Sequence, residues 1–210
     1  MNQRKRNPRV FLISPARIGG PRSNTLLRHE ADFDLAIRLR SGSATLGEAY
    51  SFISGLYFRG KMAYVEAFAA PPMGVPPALI IVPGLGLVPP HEMFDAERLR
   101  GTAGVPVNES NPAFTAPLLR DAALLDRQCG PDCEYLLLGS IATAKYTDPL
   151  LQVFGERLLF PVEFVGRGDM SRGGLMLRCA QSGEELSYVC VRGSIVQGRR
   201  PEKLTPLRKR

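Results

Sequence analysis

The segment Phe164 to Arg178, FVGRGDMSRGGLMLR, gathers four glycines, three arginines and one aspartate between two apolar runs. Within it, Arg167 and Arg172 offer planar donor forks and Ser171 a hydroxyl, while glycines permit the positive backbone angles on which nests of amide N–H groups depend. The expected chemistry is anion recognition by a loop. Asp169, set among these cations, suits orienting a water or a sugar hydroxyl better than donating a proton. A salt bridge stapling a glycine-rich hairpin accounts for part of the pattern, but three arginines exceed what one aspartate can pair. Glu163, six residues upstream, is the second carboxylate of interest, because two carboxylates in one pocket can divide acid and base roles as glycosidic cleavage requires. On an alternating strand it would instead face solvent.

Two further segments carry polar groups suited to a ligand. Glu134 to Leu138 reads as a buried strand that runs into Gly139-Ser140-Ile141-Ala142-Thr143-Ala144-Lys145-Tyr146. Gly139, Ser140, Lys145 and Tyr146 then stand at a strand end ahead of a helix, where hydroxyls and backbone amides can meet a small anion or a nucleobase. Glycine packing and helix capping explain the same residues almost as well. The segment Gly55-Leu-Tyr-Phe-Arg-Gly60-Lys61 places two aromatics and two cations between glycines. Tyr57 can stack on a base with Arg59 or Lys61 on a phosphate, or belong to an aromatic core cluster.

Other reaction classes lose support. No GxSxG, HExxH, Walker loop or Cys/His nucleophile arrangement is present. Cys129, Cys133, Cys179 and Cys190 are read as free thiols, because His29 and His91 are the only histidines and zinc wants two close pairs or more imidazoles. No metal and no cofactor is expected.

Strands and helices must position these groups. Arg9 to Ser14 and Ala78 to Val82 read as short buried strands, joined by the Glu134 strand and by Arg157 to Phe164, which Pro161 interrupts. Strands apolar throughout are covered on both faces, the signature of a mostly parallel sheet. In such sheets ligands gather at the carboxyl ends, where Gly84 and Gly86 also lie. Leu46 to Phe68 has helical spacing, as one core-facing helix or two joined at a kink, and Pro117 to Arg127 reads as another helix. Leu175 to Cys179 and Leu186 to Val191 alternate around Gln181-Ser-Gly-Glu184, predicting a β-hairpin. The expected fold is α/β, a three-layer sandwich with a mostly parallel central sheet and a C-terminal β-hairpin. A single domain is expected over residues 9–193, with a basic tail at 1–8 and a second, flexible one at 194–210.

The 210-residue chain has a formal net charge of +7, much of it at the two ends, which raises affinity for any polyanion without specifying one. No apolar run approaches the roughly 20 residues of a membrane span, and four apolar residues after the basic start are too few for a signal sequence of about 7 to 15. A cytoplasmic protein is expected, with a phosphate-bearing small molecule or nucleic acid as partner.

FLISPA, SFISGLYFRGKMAY, LLLGSIATAKY and LLFPVEFVGRGDMSRGGLMLR together resemble a family of uncharacterised bacterial proteins over about Val10 to Val191. That resemblance implies no activity. Leu137 to Ala142, LLGSIA, is similar to the strand-end segment of uracil-DNA glycosylases. This second resemblance implies an α/β sandwich with a base or nucleotide pocket. Their water-activating motif and histidine-containing insertion motif are absent, so uracil excision is not implied. The expected function is an enzyme acting on a nucleotide, nucleoside or nucleobase, by hydrolysis or transfer at an N-glycosidic bond. A non-catalytic nucleic-acid-binding module and a phosphometabolite enzyme are the alternatives.

Overall fold

The computed structural model describes residues 7–194, 198–199, 201–202 and 204. In chain order the elements are β1 (Arg9–Ile13), α1 (Pro21–Leu27), α2 (Asp34–Arg40), β2 (Ala44–Thr45), α3 (Leu46–Ser54), α4 (Leu56–Phe68), β3 (Ala78–Val82), β4 (Gly86–Val88) and β5 (Met93–Phe94). Then follow α5 (Ala96–Ala103), α6 (Pro112–Cys129), β6 (Glu134–Leu138), α7 (Ala144–Phe154), β7 (Leu158–Pro161), α8 (Asp169–Ser182) and β8 (Tyr188–Cys190).

Six strands form one sheet in the order β4-β3-β1-β6-β7-β8, and β2 and β5 make a separate antiparallel pair. The inner four run parallel, while β4 and β8 pair antiparallel at the two edges. Every residue of β1 and β3 is buried, because successive side chains enter opposite cores. Phe11, Ile13, Ile80, Val82, Leu136 and Leu138 pack beneath α1 to α5 and α8, whereas Val10, Leu12, Leu79, Ile81, Tyr135 and Leu137 pack against α6 and α7. The result is the expected three-layer α/β sandwich with a C-terminal antiparallel pair.

That pair differs in membership from the expected hairpin. Leu175 to Cys179 belongs to α8, and the partner of β8 is β7. The segment's alternation misleads because Gly173 and Met176, three residues apart, are buried on one helical face. Gly183, with φ of 71°, ends the helix in the left-handed conformation.

The expected anion loop is also largely helical. Gly166 turns the chain at φ of 71° and Gly168 is the N-cap of α8, but Gly173 lies inside the helix against α4. A Cβ on Gly173 would stand 2.8 Å from the Leu56 carbonyl oxygen, and one on Gly60 would stand 2.6 Å from the Gly173 carbonyl oxygen. Two helix backbones touch there, so these glycines serve close approach.

The Leu46 to Phe68 pattern resolves into two helices hinged at Gly55, whose φ of 59° favours glycine. A Thr45–Glu48 capping box starts the first of them. No helix among the described residues is long and apolar enough to cross a membrane. Most of the basic residues of both tails lie outside the described residues. Of the C-terminal segment expected to be flexible, the Glu202 carbonyl accepts a hydrogen bond from Arg167, and Leu204 lies against Gly174.

Candidate functional site

The chain leaves β1 toward β3 on one side and leaves β6 toward β7 on the other. Neighbouring strands with diverging connections open a crevice at their carboxyl ends, the place where open α/β sheets bind ligands. A cavity of about 640 Å³ lies there. Ser14 follows β1, Pro83 follows β3 and Ser140 follows β6, and all three line it. Helices supply Tyr50, Tyr57, Lys145, Tyr146 and Asp169, and the loop after β1 supplies Arg17.

Lys61 stands behind this wall, fully buried on α4. Its Nζ donates to the Ser14 Oγ at 2.8 Å and to the Ser14 carbonyl oxygen at 3.0 Å, and lies 4.0 Å from the centre of the Tyr57 ring. No carboxylate oxygen among the described residues comes within 4.0 Å of it. Burial without a counter-ion lowers the pKa of this amine from the usual 10.5 to about 7, with Asp169 opposing the shift and Arg172 adding to it. Gly139 makes the arrangement possible: a Cβ there would stand 3.1 Å from the Ser14 Cβ and 3.3 Å from its Oγ.

The tyrosines share this burial. The Tyr57 hydroxyl is pushed up to about 12, chiefly by desolvation, and those of Tyr50 and Tyr146 are raised for the same reason. Among the described residues neither the Tyr50 nor the Tyr57 hydroxyl makes a hydrogen bond of good geometry, although Thr102 lies near the first and Arg172 near the second and each opposes the rise. Buried polar groups are normally paired, so two such hydroxyls beside one cavity are unusual. No family model, curated protein or solved structure matches this chain. The functional reading therefore rests on the cavity.

The residues expected from the sequence divide into three groups. Tyr57, Ser140, Lys145, Tyr146 and Asp169 meet at the cavity, with Gly139 and Lys61 directly behind it. One face of the Tyr57 ring is taken by Lys61, which leaves less of it for a base. Arg172 sits between the groups. It donates through Nε and Nη2 to the Phe164 carbonyl oxygen, lies over the Phe164 ring, and holds Nη1 4.0 Å from Asp169.

The third group is elsewhere. Arg167 donates to the Glu163 carbonyl oxygen and to the Ser171 Oγ, and Arg167 and Ser171 line a separate cavity with Pro201, Glu202 and Leu204. Arg59 is exposed on α4 and does not line the main cavity. Glu163 accepts from the Ser187 amide and is also outside the cavity, so it forms no carboxylate pair there with Asp169.

Sequence reasoning missed Ser14, Arg17 and Tyr50. Ser14 had a usable signal, since it directly follows a fully buried strand, and Gly139 follows one buried at all but its first residue. Gly84 and Gly86 also follow a buried strand, yet Gly84 packs toward Val105 and Gly86 toward Asp121.

Proposed function

We propose that this chain is an enzyme acting on a nucleotide, nucleoside or nucleobase held in the cavity between the ends of β1 and β6. The observation that carries this reading is the meeting of Ser140, Lys145, Tyr146, Tyr57 and Asp169, from three separate stretches of sequence, around one opening at the sheet's switch point. A volume of about 640 Å³ suits a small molecule of mononucleotide size. Lys145 and Arg17 supply positive charge for a phosphate, and the first turn of α7 adds the positive end of a helix. Tyr146 and the free part of Tyr57 supply apolar surface for a base.

Asp169 is the one carboxylate among the described residues that line the opening. Its side chain is 70% exposed at the first turn of α8, a position suited to orienting a water or a sugar hydroxyl. Action at an N-glycosidic bond, the chemistry expected from the sequence, would use Asp169 in that role without a second carboxylate.

A thermal-shift series over mononucleotides, nucleosides, free bases, sugar phosphates and short oligonucleotides tests the reading. A mononucleotide at 100 times its Kd should raise Tm by about 5–10 °C for a domain of this size. The rise should vanish in Lys145→Ala. Stabilisation by sugar phosphates alone would identify a phosphometabolite enzyme, and stabilisation only by oligonucleotides, with steep salt dependence, would identify a binding module.

A further inference from the structure

The Ser14–Lys61 pair is not needed to bind a nucleotide. Ser14 is the only member of the pair that lines the cavity, and the amine reaches the hydroxyl from the protein side. A lysine 1% exposed with no carboxylate partner is costly to keep charged, and neither of its hydrogen-bond partners is an anion. A structural clamp on the Ser14 carbonyl would require only one of its bonds. In the structure Nζ donates to Oγ at 2.8 Å while Oγ donates to the Leu138 carbonyl oxygen at 3.4 Å; with the amine neutral, the same short contact lets Oγ turn its proton to Nζ, as a nucleophile and its base require.

We propose that Ser14 is a nucleophile with Lys61 as its general base, and that the cavity takes an ester or other activated acyl compound bearing an anionic group. This uses the cavity described above and does not rest on the nucleotide reading of its ligand. In the reactive state Lys61 is the neutral amine, held by donation to the Ser14 carbonyl oxygen, with its lone pair facing the Ser14 hydroxyl. Oγ attacks the acyl carbon as its proton passes to Nζ. The tetrahedral intermediate collapses, the acyl–oxygen bond to the leaving group breaks, and the ammonium of Lys61 gives its proton to that departing oxygen. A water then attacks the acyl-serine, losing a proton to Nζ, and that proton returns to Oγ as the acid is released. No oxidant, metal or further reactant enters. Serine–lysine pairs of this kind are one solution to the problem that a serine–histidine–aspartate triad solves. Arg17 and Lys145 face the same cavity and complement the substrate's negative charge.

The charged groups acting on Lys61 are Asp169 and Arg172 of α8, with the Tyr57 ring against it on its own helix. Reactivity should therefore rise as the amine loses its proton, with a midpoint near pH 7. Because Asp169 favours the charged form, Asp169→Asn should move that midpoint down.

The test is covalent labelling with three reagents: phenylmethanesulfonyl fluoride, a fluorophosphonate and p-nitrophenyl acetate, each over pH 6 to 9. The expected result is a single adduct located on Ser14 by peptide mass spectrometry of the native chain. Its rate of formation should climb with pH, and fall by about 100-fold or more in Lys61→Met. Because the mapping is done on the native chain, it holds even where a variant does not fold. Absence of an adduct with all three reagents, an adduct at another residue alone, or a rate indifferent to Lys61→Met would each overturn the proposal. Labelling blocked by a mononucleotide would tie both readings to one ligand. Labelling of Ser14 that no nucleotide blocks would sustain this proposal and overturn the nucleotide reading.

Discussion

The two ends of β1 each carry a buried polar cluster tied to α4, and they are finished differently. At the amino end, Arg9 pairs with Glu185, Glu185 accepts from the Tyr188 hydroxyl at 2.9 Å, and Tyr188 meets Tyr64 at 2.6 Å. Tyr64 also accepts from the Leu186 amide. Among the described residues only the Arg9 Nε of this cluster is buried without a partner, and the cluster fastens the C-terminal strand to the helix layer. At the carboxyl end, Lys61 reaches Ser14, two tyrosine hydroxyls make no hydrogen bond of good geometry among the described residues, and the group borders a cavity. A network whose groups are satisfied is what structure requires; one left less than fully satisfied beside a void has capacity for a ligand. The comparison predicts that changes at the amino end should reduce stability and spare binding, and that changes to side chains lining the cavity should reduce binding and largely spare stability.

Lys61 is where the contrast meets its largest stability effect, because an unpaired buried amine makes the fold sensitive to pH. Its folded pKa near 7 lies below the usual 10.5, so between those values the unfolded chain holds a proton that the folded chain lacks. Stability then rises with pH across this window, by up to about 1.4 kcal/mol per unit, and the penalty is fully present below pH 7. Lys61→Met should flatten this rise. Urea titrations of both proteins from pH 6.5 to 10 measure it, and equal slopes would place Lys61 in a more polar setting than its burial indicates.

Next in size is Gly173→Val, which acts on both ends because α8 presses on α4 between them. Even a Cβ at Gly173 would stand 2.8 Å from the Tyr57 Cα, and backbone cannot move aside as a flexible side chain can. A loss of about 3 kcal/mol or more is expected, read as a lower urea midpoint. Gly174→Val on the same helix should be far milder, since the nearest atom to a Cβ there is the Leu204 side chain at 3.5 Å.

These glycines also show what the sequence made legible. The strands Ala78–Val82 and Glu134–Leu138 read correctly to the residue, because short apolar runs between turn formers have few other uses. The polar segment after Glu134–Leu138 lies at the cavity because strand-end position is a property of order along the chain. The glycine–arginine segment was misread because helix-to-helix contact and anion nests demand the same residue. What distinguishes them is whether another backbone lies opposite, and that is set by distant sequence. Lys61 shows a related limit: read locally it is a cation on a helix, and its burial depends on distant residues, Ser14 after β1 among them.

At the amino end, Tyr64→Phe removes the oxygen that accepts from the Leu186 amide and meets the Tyr188 hydroxyl, leaving a buried N–H unpaired. A loss of about 1–3 kcal/mol follows. Neither the labelling of Ser14 nor ligand binding should change, and a loss of either would show that the two clusters communicate along α4.

The smallest stability effect is predicted for Lys145→Ala, and it decides the comparison most directly. The Lys145 side chain is half-buried at the cavity, and its nearest aromatic contact is the Tyr146 ring at 5.1 Å. It takes part in no ion pair among the described residues. A residue with so few internal contacts should change stability by no more than about 0.5 kcal/mol when truncated. Removing a cation from an anion site should nevertheless abolish the thermal shift given by whichever phosphate-bearing ligand stabilises the parent. The control is Arg59→Ala, an equal loss of charge on the exposed side of α4, which should keep the shift. Equal losses in the two variants would mean that overall positive charge draws the ligand, and the cluster at the carboxyl end of β1 would then have no special claim to it.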